Sequence, residues 1–227
     1  KSISKMDALP LDNIGVIAEL YKKRMNRRGY TATELMNIKF PDIVWIIPDF
    51  LPVGLMLLAG KPKTGKSRLC LHIADAATRG RPLFNSLHVE PIGILYLALE
   101  DKEQRFQERM SEILNGTQPS DKFHVYFDWS RSNEGGIQEL DSWLKDHPDV
   151  KLVIIDVLAM IRANAENKKG MYSYYEDYTE IMKFKKVAEE NSIAIIMIHH
   201  STKLQNADDP YDAMAGTTGL PAAADTL

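Results

Sequence analysis

The sequence predicts an α/β fold, a mostly parallel sheet with helices on both faces, preceded by a small helical segment. Three observations carry this. Short apolar runs recur at residues 53–59, 93–99, 151–155 and 193–198, with a further strand candidate at 123–127. Runs of this length and composition suit strands buried on both faces. Segments with apolar residues at helical spacing alternate with them, roughly 25–50 residues separating successive strands, which is the pattern of strand–helix–strand units. Finally, the runs end in polar or small residues, Gly60, Glu100, Asp156 and His200. Carboxyl ends of parallel strands are where ligands bind, so four residues distant in sequence are expected to meet in one cleft.

In chain order, residues 1–40 read as a separate helical arm. Ile14, Ile17, Ala18, Tyr21 and Met25 recur at helical spacing behind a start at Leu11-Asp12-Asn13. Its end carries Lys22, Lys23, Arg24, Arg27 and Arg28 before Gly29. Basic residues there complement the helix dipole as a solvated end; the alternatives are a phosphate-contacting patch or an arm docking on a neighbouring subunit. Residues 41–227 form the core. Pro41 to Pro52 is a proline-punctuated approach with a short edge strand or apolar plug at Val44–Ile47. The first buried strand follows, then a helix carrying Leu69, Cys70, Ile73, Ala74 and Ala77 on one face and stopping at Gly80. Phe106, Met110, Ile113 and Leu114 mark the helix after the second strand, with Arg105 and Arg109 on its other faces. A short helix spans 137–146, and a long one carries Tyr174, Tyr178, Ile181, Phe184, Val187 and Ala188. The polar stretches 162–173 and 201–218 read as loops.

Composition sets bounds. A chain of 227 residues with 44% hydrophobic residues holds one large α/β domain and a small appendage. A formal charge of −3 gives no bulk attraction for nucleic acid, so any such contact must come from a local patch. The single cysteine, Cys70, permits no intrachain disulfide and suits a reducing compartment; on an apolar helix face it reads as a structural thiol. No apolar run reaches the roughly 18 residues of a membrane span, and the expected location is cytoplasmic. The chain begins at Lys1 rather than Met, which leaves room for a removed or missing segment.

The chemistry centres on Gly60-Lys61-Pro62-Lys63-Thr64-Gly65-Lys66-Ser67, the G-x-x-x-x-G-K-[ST] phosphate-binding loop, with Arg68 next in line. Glycines let the backbone wrap a phosphate, successive N–H groups form an anion nest, and the helix opening at Gly65 or Lys66 adds its positive dipole end. Lys66 would reach the β- and γ-phosphates of ATP and the Ser67 hydroxyl would ligate Mg²⁺. A chance match is the alternative, and the strand before and helix after argue against it.

Asp156 ends an apolar strand in the Walker B manner and would hold Mg²⁺ directly or through water. Glu100 ends the strand after the loop's helix. If that strand lies beside the loop strand, its carboxylate is placed to polarise a water for attack on the γ-phosphate. The alternative is a helix-capping acid, and Asp101 competes for either role. Of His199 and His200, alternation turns one toward the cleft, where an imidazole would bond the γ-phosphate. Structural histidines are the alternative, and a zinc site lacks a convincing ligand set. Arg162, Lys168, Lys169 and Lys203 lie in loops after strand ends, where they contact either solvent or a nucleic-acid backbone.

The segments Gly-Lys-Pro-Lys-Thr-Gly-Lys-Ser, Leu-Tyr-Leu-Ala-Leu-Glu-Asp, Val-Ile-Ile-Asp, Ile-His-His-Ser-Thr-Lys and Ala-Gly-Thr-Thr-Gly-Leu-Pro-Ala-Ala-Ala-Asp-Thr resemble RecA-like ATPases of the RepA hexameric replicative helicase type, in order over residues 41–227. The resemblance implies a RecA-like core with ATP sites between the subunits of a ring, of which a hexamer is one form. It implies Lys66 and Ser67 on ATP and Mg²⁺, Glu100 as catalytic base, Asp156 as Walker B acid and His200 as γ-phosphate sensor. The loops after Asp156 and His200 would face single-stranded DNA, and the N-terminal helix would latch onto a neighbour. Such proteins continue beyond the Asp-Thr segment with more strands and a basic finger acting in trans. The chain stops at Leu227, so the expectation is of a truncated core whose finger is not identified.

Overall fold

The computed structural model describes residues 29–40, 42–162, 171–200 and 224–226, and for 171–177 the backbone alone. The helix expected over 14–28, the loop lysines 168, 169 and 203, and the loop at 201–218 lie outside the described residues.

A five-residue helix, α1 (Ala32–Met36), opens on a capping box: Thr31 accepts from the Glu34 N–H while Glu34 reaches back to the Thr31 N–H. Strands β1 (Trp45–Ile47) and β2 (Leu51–Pro52) then pair antiparallel as a separate two-stranded sheet. Of the two readings of Val44–Ile47, short edge strand or apolar plug, the strand is found, as one arm of a hairpin.

The core alternates as expected. It runs β3 (Gly54–Gly60), α2 (Lys66–Arg79), β4 (Gly93–Ala98), α3 (Glu103–Leu114), β5 (Phe123–Tyr126), α4 (Gly136–Asp146), β6 (Val150–Asp156), α5 (Leu158–Ile161), α6 (Met171–Asn191) and β7 (Ala194–His200). One sheet joins the five strands in the order β3-β7-β6-β4-β5, all parallel. The short helix α5 was not anticipated, and α6 begins at Met171, inside the stretch expected to be loop.

Strand alternation sorts the core into two layers. Ile94, Tyr96, Ile154, Ile196 and Ile198 face α2 and α3, packing on Cys70, Leu71, Ala74 and Phe106. Leu95, Leu97, Val153, Ile155 and Met197 face α4, α5 and α6, packing on Leu140, Leu158, Phe184 and Ala188. Full burial of each large side chain contributes about 1.5–3 kcal/mol, so both faces must be covered. The same alternation continues past the apolar runs. Asp156 follows Ile154 and His200 follows Ile198, so both leave the sheet on the side where α2 begins.

The outer edge of β3 is met by residues 224–226, the end of the Asp-Thr segment. Met56 bridges Thr226 in parallel fashion, and Leu57 N–H donates to the Thr226 carbonyl at 3.0 Å. Asp225 accepts from Leu55 N–H at 3.0 Å and from Lys185 Nζ at 2.5 Å. Its carboxylate lies where a Cβ on Gly54 would stand, 2.5 Å away, and Gly54 also has φ +126°. Both facts demand glycine there. Among the described residues no helix is long and apolar enough to cross a membrane.

Candidate active site

β3 ends at Gly60, and the chain turns through Lys63 at φ 64° and Gly65 at φ 93° into α2. The left-handed Gly65 is the residue just ahead of the helix, so the first α2 N–H groups open into the loop. The turn is held from inside. Lys66 is 8% exposed and its Nζ donates to the carbonyls of Gly60 at 2.8 Å and Lys61 at 2.7 Å. The Thr64 hydroxyl donates to the Lys61 carbonyl at 2.9 Å. Burial lowers the Lys66 pKa below the usual lysine range, while Asp156 and Glu100 oppose that shift.

A cavity of about 470 Å³ lies over this loop. Residues Pro62 to Arg68 form its floor, and Glu100, Asp156 and His200 enter from the ends of β4, β6 and β7. Of the candidate loop residues, Gly60 and Lys61 stand outside the lining and act through their carbonyls on Lys66. Of the four strand-end residues expected to meet in one cleft, Glu100, Asp156 and His200 line the cavity and Gly60 does not.

The adjacency of β3 and β4 that the sequence allowed is not found; β7 and β6 stand between them. Glu100 still reaches the cavity, because Leu99 and Glu100 curl over the end of β6, their N–H groups donating to the Asp156 carbonyl at 2.8 and 3.3 Å. Neither Glu100 nor Asp101 caps the next helix, whose N-cap is Lys102 with no side-chain bond. The Glu100 carboxylate instead meets His200, Nε2 to Oε2 at 3.1 Å, with side chains 59% and 33% exposed. The other His200 nitrogen, Nδ1, is buried without a hydrogen-bond partner among the described residues. His199 pairs in register with Ala59 and does not line the cavity.

Asp156 is 6% exposed and accepts a hydrogen bond from Tyr96 Oη at 2.8 Å. Burial, then the Asp156 charge, pushes the Tyr96 pKa well above the usual phenol range, so it stays a donor. Its ring is fixed edge-on against Phe106, centroids 5.3 Å apart. Sequence reading missed Tyr96, although one hydroxyl in a buried aliphatic strand signals a partner that must be found. Tyr96→Phe removes that donor from a buried carboxylate. The expected loss is about 1.5–3 kcal/mol in urea unfolding. Unchanged stability would show that this bond does not hold Asp156.

Ser67 and Asp156 offer hard oxygen donors in one cavity. Among the described residues no three His, Cys, Asp or Glu side chains gather as a metal cage. This donor set fits Mg²⁺, which keeps waters and takes one or two protein oxygens beside substrate phosphates. Arg162, the described member of the loop cations, sits at the end of α5 with its Nε 4.0 Å from Glu180. Its carbonyl accepts from Arg131 at 2.8 Å.

Comparisons with known proteins bear on the family and the fold. The family model described as an AAA domain matches residues 22–206, most of the chain. No curated protein matches. One solved structure, described as an ATPase domain, superposes with a TM-score of 0.57 at 14% identity, covering 96% of this chain and 82% of that one. At that identity the likeness shows the fold, and the fold is RecA-like. With the loop, the two acids and the histidine gathered over one cavity, the chain belongs to the AAA domain family, an ATPase domain on a RecA-like P-loop core.

Proposed function

We propose that the chain is the ATP-hydrolysing motor of a ring-forming DNA helicase, or helicase-like replication ATPase, of phage or plasmid type. The observation that carries this is the convergence of Lys66, Ser67, Glu100, Asp156 and His200 on one cavity at the carboxyl ends of four strands. ATP lies with its phosphates in the loop, against the N–H groups of α2 and the Lys66 ammonium. Ser67 and Asp156 would hold Mg²⁺, which when bound would supply charge neutralisation to the phosphates. Glu100 accepts a proton from the attacking water as the bond between the γ-phosphorus and the bridging oxygen breaks, giving ADP and phosphate. His200 Nε2 is the γ-phosphate sensor. It already holds Glu100, so phosphate and carboxylate compete for it, and the chain leaving His200 carries the outcome into the 201–218 loop. That loop and the one after Asp156 face single-stranded DNA, residues 1–40 form an arm on the neighbouring subunit, and residues 41–227 form the core.

The half-exposed Glu100 and His200 suit a site completed by a second subunit. The net charge of −3 favours a second reading, a non-translocating switch whose ATP state controls protein assembly. ATP hydrolysis with and without single-stranded DNA, beside sizing with nucleotide and strand displacement, separates the two. A motor shows a nucleotide-dependent ring, stimulated turnover and unwinding. A switch assembles with ATP but shows neither stimulation nor unwinding.

A further inference from the structure

The cavity has a wall that the motif residues do not account for. Asp101, Arg105 and Arg109, from the start and first turns of α3, also line it. Arg105 and Arg109 are four apart and share a helix face. Asp101 is the pivot, its side chain 10% exposed and ion-paired to both.

The two arginines are held differently. Arg109 is 24% exposed, grips Asp101 through Nη2, and has a buried Nε with no hydrogen-bond partner among the described residues. It is fixed. Arg105 is 74% exposed and touches Asp101 only through Nε at 3.6 Å, too long for a hydrogen bond. Its terminal nitrogens have no partner among the described residues. A single exposed i,i+4 pair of this kind is worth little to the fold.

The cavity's chemistry says what suits those nitrogens. Lysines 63 and 66 and arginines 68, 105 and 109 face three carboxylates, an excess of positive charge that matches a polyphosphate. Among the described residues, His200 and Pro62 bring the only rings to the lining and no Phe, Tyr, Trp or aliphatic side chain joins them, so its walls are mostly polar and suit phosphate better than a base. A guanidinium fork fits phosphate oxygens two at a time, which an ammonium does not.

Resting on the nucleotide reading of this cavity, we propose that Arg105 is a phosphate-binding residue acting in cis. It clamps the triphosphate chain from α3, as a second cationic contact beside the loop's Lys66. The Asp101–Arg109 pair is the positioning device that keeps this turn of α3 facing the cavity.

The test is binding of ATP and of base-free tripolyphosphate, each with Mg²⁺, to the full chain and to Arg105→Ala, Arg105→Lys and Lys66→Ala. Arg105→Ala is expected to weaken both ligands by the same factor, about 10- to 100-fold, as loss of a charge-assisted bidentate contact does. Arg105→Lys should fall between. The thermal midpoint should not move, since the side chain is mostly in solvent. Weakened ATP with unchanged tripolyphosphate would assign Arg105 to the base or sugar and overturn the proposal. So would unchanged binding of both, which would leave Arg105 a solvated helix cation. If the wild-type chain binds neither ligand, or Lys66→Ala is silent, the nucleotide reading itself falls. Failure of Arg105→Ala alone leaves that reading standing.

Discussion

Lys66→Ala abolishes ATP turnover, with kcat/KM expected to fall by at least about 10²–10³-fold, the loss seen when one preorganised charge-stabilising donor is removed. Few cations are so placed. The Lys66 ammonium is nearly buried, at the mouth of a nest of N–H groups, with Asp156 and Glu100 close enough to offset part of its desolvation. Its bonds to the Gly60 and Lys61 carbonyls keep it over the loop, where phosphate oxygens replace them as better partners. Loss of fold is a weak rival explanation, because those carbonyls border an open cavity and water can reach them in the variant. Thermal unfolding of Lys66→Ala should therefore stay near wild type while nucleotide binding and hydrolysis fail. Wild-type turnover in this variant would move the chemistry to another site.

The sequence carried some of this architecture and not the rest, for identifiable reasons. The phosphate loop is local: eight consecutive residues and the φ demands at Gly65 suffice to define it. The strands were legible because sheets covered on both faces need unbroken apolar runs. The pairing order was not, because Leu152–Ile155 and Ile195–Ile198 are interchangeable as neighbours by composition alone. That is why β4 was allowed beside β3, whereas β7 and β6 intervene. Alternation rescued the site: whichever strand is adjacent, Asp156 and His200 leave on the same side as α2. The arginines of α3 were visible only as residues on its polar faces. Whether a polar face meets water or a cavity depends on how α3 leans on α2, which no spacing within α3 records. Tyr96 is intermediate. Its need for a partner was readable, but not that the partner was the strand-end acid Asp156.

Glu100→Gln separates binding from chemistry more sharply than any other change. Three carboxylates border the cavity, and two are committed. Asp101 is occupied by Arg105 and Arg109, and Asp156 is buried against the Tyr96 hydroxyl. Glu100 is the acid left to accept a proton. It is 59% exposed and bonds, among the described residues, to His200 alone. A glutamine keeps the shape and a partner for His200 but cannot take a proton. Turnover is expected to drop about 10²–10⁴-fold, the usual worth of a positioned general base. ATP affinity should hold or improve, because a negative charge has been removed beside a polyphosphate. The readout is therefore a split, kcat collapsing with Kd unchanged or lower, the reverse of the joint loss expected at Lys66. Equal losses in both would make Glu100 a binding residue. Wild-type kcat would pass the proton to a group outside this cavity, and the His200 contact would then be a structural pair rather than the hinge between phosphate and the loop beyond it.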